Sequence, residues 1–320
     1  MTPGFPASAS AQDLASDGHG NMWFTDPGTP GLGRISPTGT FTEFSDGLVP
    51  RAEPYVITRS PKQSSLWFSD FGGVRLGKVS PNGTIHEYTA IQYTQNNAAG
   101  VAVTPNGTPW TIAVGAIPRL FRLTSKNQLE EVELPSDLSF DGSLAADSRG
   151  NLWMLAVDAQ SKVVMIERAS HGQLTTIPVP LHKIFMPCCP NLAPKRIVIG
   201  ADGNPWFTDL DYGHKARSSS FVGTIRNGRA LLYQLRRHNG HVLGYASGIV
   251  AGPNGFWITG SDPFQTDGAL WDLSLDGSQR EYNLSSAPLG IAGDDAGHYW
   301  FTAAFPTTAS QIVEFSAEPQ

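Results

Sequence analysis

Four side chains are chemically suggestive: Glu53, Tyr55, Asp70 and Asp209. Carboxylates supply the oxygen ligands that Mg²⁺ or Ca²⁺ prefers, and a carboxylate or a phenol can move a proton in a general acid–base step. In Glu53-Pro54-Tyr55, two of them stand two residues apart. Against this, Asp70 and Asp209 share a motif with Asp26: Trp23-Phe24-Thr25-Asp26, Trp67-Phe68-Ser69-Asp70 and Trp206-Phe207-Thr208-Asp209. An aspartate that recurs after the same three residue types suits a cap on turn amides. Recurrence in three places favours the cap over the catalytic site, so a divalent cation is considered and not assigned.

A second group collects between residues 182 and 214. His182, Cys188, Cys189 and Lys195 lie in one stretch, and Asp211, Tyr212 and His214 in another. Cysteine and histidine together suggest zinc, but zinc thiolates are usually separated by two or more residues, and Cys188 and Cys189 are adjacent. A vicinal disulfide or a pair of buried thiols is the favoured reading. Two cysteines cannot form a disulfide framework. No Gly-x-Ser-x-Gly elbow, phosphate-binding loop or nucleotide fingerprint occurs.

These residues are positioned by a repeat. Trp23, Trp67, Trp110, Trp153, Trp206, Trp257 and Trp300 are separated by 44, 43, 43, 53, 51 and 43 residues, and only Trp271 falls outside the series. A period near 43 residues is that of a propeller blade of four strands. Each unit opens with a short apolar strand such as Gly290-Ile291-Ala292. An Asp-, Asn- and Gly-rich turn such as Asp17-Gly18-His19-Gly20-Asn21 comes next, then the tryptophan strand. A third strand such as Gly33-Arg34-Ile35-Ser36 and a fourth such as Phe41-Thr42-Glu43-Phe44 complete it. The expected architecture is all-β: a seven-bladed β-propeller of four antiparallel strands per blade, one domain over residues 1–320. Its blades fall near 9–46, 52–90, 97–135, 141–180, 194–236, 246–284 and 288–316. The last unit ends at its third strand, so the segment around Phe5 (residues 1–8) is expected to close it as the outer strand.

Spacing separates the two faces of such a ring. From the opening apolar residue to the tryptophan the distance is nine in Leu14–Trp23, Val101–Trp110, Ile197–Trp206 and Ile291–Trp300. The links on the other face, here the top, vary: Phe44 to Ile57 is 13 and Ile177 to Ile197 is 20. Variable loops on a rigid scaffold usually carry binding. The longest belong to the fifth unit, where Phe185, Cys188 and Cys189 suggest an apolar lid beside the polar Asp211-Tyr212-Gly213-His214. At the mouth of the channel, two residues before each opening apolar residue, stand Gln12, Tyr55, Ala99, Gly142, Lys195, Ser247 and Leu289. At the second-strand ends stand Asp26, Asp70, Ala113, Ala156, Asp209, Gly260 and Ala303. Polar residues gather in units one, two and five; the rest are small or apolar. Such a rim suits a largely apolar ligand held by a few polar contacts, with Gln12, Asp26, Tyr55, Lys195, Asp211, Tyr212 and His214 as the contacts.

Composition agrees. Hydrophobic residues make up 40% and charged residues 16% of the 320, which suits a compact, soluble, strand-rich chain. The 34 glycines and 24 prolines fit frequent turns. The net charge of −6, with no basic run, argues against nucleic acid as partner. No apolar stretch is long enough to span a bilayer. A monomer is expected. Compartment stays open between a secreted or periplasmic protein whose leader was removed and a cytoplasmic one.

The repeated Asp-Gly-Asn-x-Trp-Phe-Thr-Asp and Gly-Arg-Ile-Ser-Pro-x-Gly-x-Phe-Thr-Glu-Phe pattern resembles the virginiamycin B (streptogramin B) lyase family over essentially the whole chain. The resemblance implies a seven-bladed propeller. In the lyases it also implies ring-opening of a cyclic depsipeptide antibiotic by elimination, with Mg²⁺ and a histidine base. At the positions that would carry this chemistry the sequence has Gln12 for a tyrosine, Ser247 for a histidine, Ala287 and Leu289 for a Glu-x-His pair, and Ala303 for an acid. Elimination needs a base and a cation to stabilise the developing enolate, and these five residues supply neither. The expectation is a propeller that binds a small or peptide-like ligand at the top of its channel without lyase activity. Two alternatives stay open: an enzyme, lyase or hydrolase, of different specificity with Glu53, Tyr55, Asp70 and Asp209 as a relocated site, and a protein–protein scaffold.

Overall fold

The computed structural model describes residues 11–158, 163–170, 173–183, 196–212, 218–237, 245–261, 268–305 and 308–316. Seven antiparallel sheets follow one another along the chain, each with its strands in sequence order, and the fold is a seven-bladed β-propeller. Among the described residues no helix is long and apolar enough to cross a membrane.

Blade 1 holds β1 (Leu14–Ser16), β2 (Met22–Asp26), β3 (Gly31–Ile35) and β4 (Phe41–Phe44). Blade 2 holds β5 (Pro54–Arg59), β6 (Leu66–Asp70), β7 (Arg75–Val79) and β8 (Ile85–Thr89). In blade 3 are β9 (Asn96–Val103), β10 (Pro109–Gly115), β11 (Arg119–Leu123) and β12 (Leu129–Glu133). Blade 4 has β13 (Leu138–Ala146), β14 (Leu152–Asp158), β15 (Val163–Ser170) and β16 (Gln173–Lys183). Blade 5 has β17 (Ile197–Ile199), β18 (Pro205–Tyr212), β19 (Ser218–Arg226) and β20 (Arg229–Gln234). Blade 6 consists of β21 (Tyr245–Ala251), β22 (Gly255–Ser261), β23 (Gly268–Ser274) and β24 (Gln279–Leu284). The seventh sheet is β25 (Ala287–Gly293), β26 (His298–Phe305) and β27 (Thr308–Ser316), three strands among the described residues. The closing strand expected around Phe5 lies outside the described residues.

The repeat motif is explained by its hydrogen bonds. In blade 1, Asp17 accepts the His19 amide at 2.8 Å, the Asn21 side-chain amide at 2.7 Å and the Trp23 indole N–H at 3.3 Å. Blade 4 repeats this with Asp147, which accepts from Asn151 at 2.7 Å and from Trp153 at 3.0 Å. One aspartate thus folds the turn and fixes the tryptophan behind it. The glycine in the middle of the third strand has a packing reason. A Cβ on Gly33 would fall 2.0 Å from the Phe24 ring, and one on Gly77 the same distance from Phe68, so each phenylalanine lies flat over a bare backbone.

The chain forms two compact units, Met1–Leu134 with Gly290–Gln320, and Pro135–Leu289. In the first, Trp23 and Leu32 of blade 1 pack on Leu66, Phe68 and Val79 of blade 2, and Trp300 and Ile312 pack on Leu14 and Phe24. In the second, Trp206 packs with Phe256, Ile258 and Trp271. Trp271, outside the sequence period, is fully buried on β23. Trp206 and Trp271 are core residues of one kind, and burial of such a ring stabilises by roughly 2–3 kcal/mol on area alone.

Candidate functional site

The first strand of a blade is where the sequence places the ligand-facing positions, and it is irregular. In blade 2 the ladder runs Pro54 to Asp70 and then Ile57 to Phe68, so Tyr55 and Val56 face Ser69 alone. In blades 3 and 6 the extra residues are Ala99 and Ser247. A bulge re-aims the side chain it carries, so the bulges carry the positions named from sequence in these three blades. Blade 4 differs: Phe140 pairs with Ala156 and Leu144 with Met154, leaving three residues, Asp141 to Ser143, opposite Leu155. The sequence reading put the small Gly142 at this point. The extra residue instead brings Asp141 onto the bulge, so blade 4 is not purely apolar there. Asp141 accepts the Ser143 amide at 2.7 Å and the Ser143 hydroxyl at 3.1 Å. Burial pushes its carboxyl up to about 7, against the pull of the Ser143 bonds and the Arg196 charge.

In blade 1 the register of β1 on β2 is unbroken, and the residue directly before β1 is a buried acid that the motifs do not single out. Asp13 is 2% exposed and accepts the Ile57 amide of blade 2 at 2.9 Å. Its own amide donates to the Thr25 hydroxyl at 3.2 Å, and that hydroxyl donates to the Tyr55 carbonyl at 2.8 Å. The available signal was a charged residue directly before an opening strand, where the corresponding residues of blades 2, 3 and 4 are Val56, Gly100 and Ser143. The Gln12 amide donates to the Thr25 carbonyl at 2.9 Å, and Gln12 is half-buried. The Tyr55 ring lies 5.1 Å from that of Phe71.

Two of the strand-end aspartates, Asp26 and Asp70, are occupied by protein donors. Asp26 accepts the Gly28 and Thr29 amides at 3.0 and 3.1 Å and the Thr29 hydroxyl at 2.7 Å. Asp70, fully buried, accepts the Glu53 amide at 2.6 Å, the Gly72 amide at 2.8 Å and the Arg75 Nε at 2.5 Å. Glu87 of β8 stands against it. Burial, then the Asp70 carboxyl, push the Glu87 carboxyl up to about 8, against the pull of the Val49 amide and Arg75. Glu53 itself is exposed. Asp209, Asp211 and Tyr212 are on β18, but their side chains fall outside the described residues, as do Lys195, His214, Phe185, Cys188 and Cys189 entirely. The structure therefore ties the main chain of Gln12 and of Tyr55 to Thr25, next to Asp26, and the main chain of Glu53 to the Asp70 carboxylate.

The positions of the implied elimination chemistry are filled otherwise. The Ser247 hydroxyl donates to the Pro288 carbonyl at 2.8 Å. Ala287 and Ala303 are fully buried. Among the described residues, no group of three or more His, Cys, Asp or Glu side chains could hold a metal ion.

A seven-bladed propeller with a Trp-Phe-Thr/Ser-Asp second strand in blades 1, 2 and 5, and first strands bulged in blades 2, 3, 4 and 6, is the class that fold and site define. The virginiamycin B lyase family matches residues 6–185, more than half of the chain, and the protein belongs to that family. No curated protein matches the sequence. Among solved structures, a streptogramin B lyase is 22% identical and superposes with a TM-score of 0.74, covering 98% of this chain and 95% of that one. Selenomethionine-substituted virginiamycin B lyase from Staphylococcus aureus is 22% identical with a TM-score of 0.67, covering 92% of each chain. YCF48 bound to a D1 peptide shares the fold at 11% identity and a TM-score of 0.65, covering 98% of this chain and 95% of that one. At these identities the likeness is one of fold.

Proposed function

We propose that this family member binds a small or peptide-like ligand at the first strands of blades 1 and 2 and does not open cyclic depsipeptides by elimination. The observation that carries the reading is the set Gln12, Ser247, Ala287, Leu289 and Ala303 at the positions of the lyase chemistry. None of these side chains takes a proton near neutral pH, and the one hydroxyl among them is spent on a backbone carbonyl. The Tyr55 and Phe71 rings offer an apolar surface, and the Gln12 side chain is the polar contact proposed with it. The lyase fold and a peptide-bound relative of the same fold support a ligand of peptide character. Calorimetric titration with quinupristin and with short neutral peptides tests this. Binding without turnover is expected, weakened about tenfold or more in Tyr55→Ala. If none of these probes binds, the reading fails.

A second reading has one observation in its favour. Asp141 has a carboxyl that titrates near neutrality beside the Ser143 hydroxyl, as a general base would. On that reading the protein is an enzyme of different specificity. Its activity, once a substrate is found, would be abolished by Asp141→Asn and would rise with pH through about 7.

A further inference from the structure

Asp70, Glu87 and Arg75 form an enclosed group with two acids and one base. Asp70 is fully buried and the Arg75 side chain is 11% exposed. Glu87 uses one oxygen, Oε2, to accept the Val49 amide at 2.7 Å. Its other oxygen, Oε1, is buried and has no donor in reach, although it lies against Asp70. Two carboxyl oxygens in contact are satisfied only when one of them carries a proton. Asp70 already accepts three N–H bonds, so the proton belongs on Glu87.

This group fastens one segment, the link of residues 45–53 between blades 1 and 2. Val49 is held by Glu87, Glu53 by Asp70, and the Arg51 carbonyl accepts from Arg75 Nη2 at 3.1 Å. Arg51 sits at φ +63°, a left-handed conformation that a side chain disfavours, so the link is held in a shape it would not keep alone. Among the described residues, the charges acting on Glu87 are those of Asp70 and Arg75. Lys78 lies over the Trp67 ring and His86 against Tyr88, on the opposite face of the sheet. Blade 1 packs Trp23, Leu32 and Phe44 on the near side.

We propose that Asp70 and Glu87 are a proton-locked latch: with the shared proton in place the 45–53 link is fastened to blade 2, and when the proton leaves, Glu87 swings away and frees Val49. The step is a simple deprotonation of Glu87 Oε1 by solvent, which leaves two carboxylates facing one guanidinium. Glu53 and Tyr55 follow the link directly, so the latch sets how they are presented. That consequence rests on the proposed ligand reading; the latch itself does not.

Hydrogen exchange of the Val49 amide, followed by NMR from pH 6 to 10 on the ligand-free protein, tests the latch alone. Glu87→Gln is the control, because its amide copies the protonated acid: it donates to Asp70 and accepts from Val49 at any pH. In the wild type, exchange at Val49 should climb faster than the intrinsic base-catalysed rate by roughly tenfold per pH unit. The excess should level off above about pH 8, where Glu87 is ionised. In Glu87→Gln no excess should appear. A wild type that follows the intrinsic rate, or a variant that climbs equally, overturns the latch whether or not any ligand binds.

Discussion

Asp26 and Asp70 occupy the same place in two consecutive blades, and they do different work. Asp26 accepts from the Gly28 and Thr29 amides and the Thr29 hydroxyl, all within its own turn. Asp70 accepts one amide of its own turn, Gly72, and then reaches the amide of Glu53, the guanidinium of Arg75 and the carboxyl of Glu87. The repeat supplies the carboxylate; its neighbours decide whether it is a local cap or a crosslink. An acid in such a motif is therefore weak evidence for a metal or proton-transfer site until its partners are counted.

Removing each carboxylate sharpens that contrast. Asp70→Ala leaves Arg75 enclosed without its counter-charge and should destabilise by about 3–5 kcal/mol in chemical denaturation. Asp26→Ala loses the Gly28 and Thr29 bonds of its turn and should cost about 1–2 kcal/mol. Equal losses would erase the distinction between cap and crosslink.

The pH dependence of the two kinds of acid runs in opposite directions. Glu87 is raised in the folded state, so its contribution to stability is complete below about pH 4.5 and is lost as pH rises through about 8. Melting temperature should therefore fall from pH 6 to 9, and less so in Glu87→Gln. The turn aspartate Asp147 is the reverse. Burial pulls its carboxyl upward, but the Asn151, Trp153 and Arg149 donors outweigh burial and hold it below the ordinary value of 3.8. Its contribution is present above that value and is lost as pH falls through its folded titration. Asp147→Asn should flatten the acid limb slightly and leave the alkaline limb unchanged, the smallest of these effects.

The same contrast marks what the sequence could reveal. The tryptophan period and the Asp-Gly-Asn turns were legible, because each aspartate meets an asparagine and an indole within six residues. The Asp26 cap was legible because its Gly28 and Thr29 donors lie within three residues. The Asp70–Glu87 contact was not, because it joins the second and fourth strands of a blade and leaves no periodic trace. Asp141 was missed because strand spacing fixes the distance from opening residue to tryptophan but says nothing of how many residues a bulge holds before it. Asp13 was visible as an odd charge, yet only the structure shows it bridging to the Ile57 amide of the next blade.

The central claim is that the propeller has kept the family's fold without its elimination chemistry. The direct measurement is liquid chromatography with fragmentation mass spectrometry of quinupristin after prolonged incubation with the protein and Mg²⁺. Ring-opening by elimination yields a linear isomer of unchanged mass, so retention time and fragment pattern decide the outcome. The account predicts that only the cyclic compound is recovered, as in a control without protein. A linear isomer that accumulates in proportion to protein concentration would contradict it.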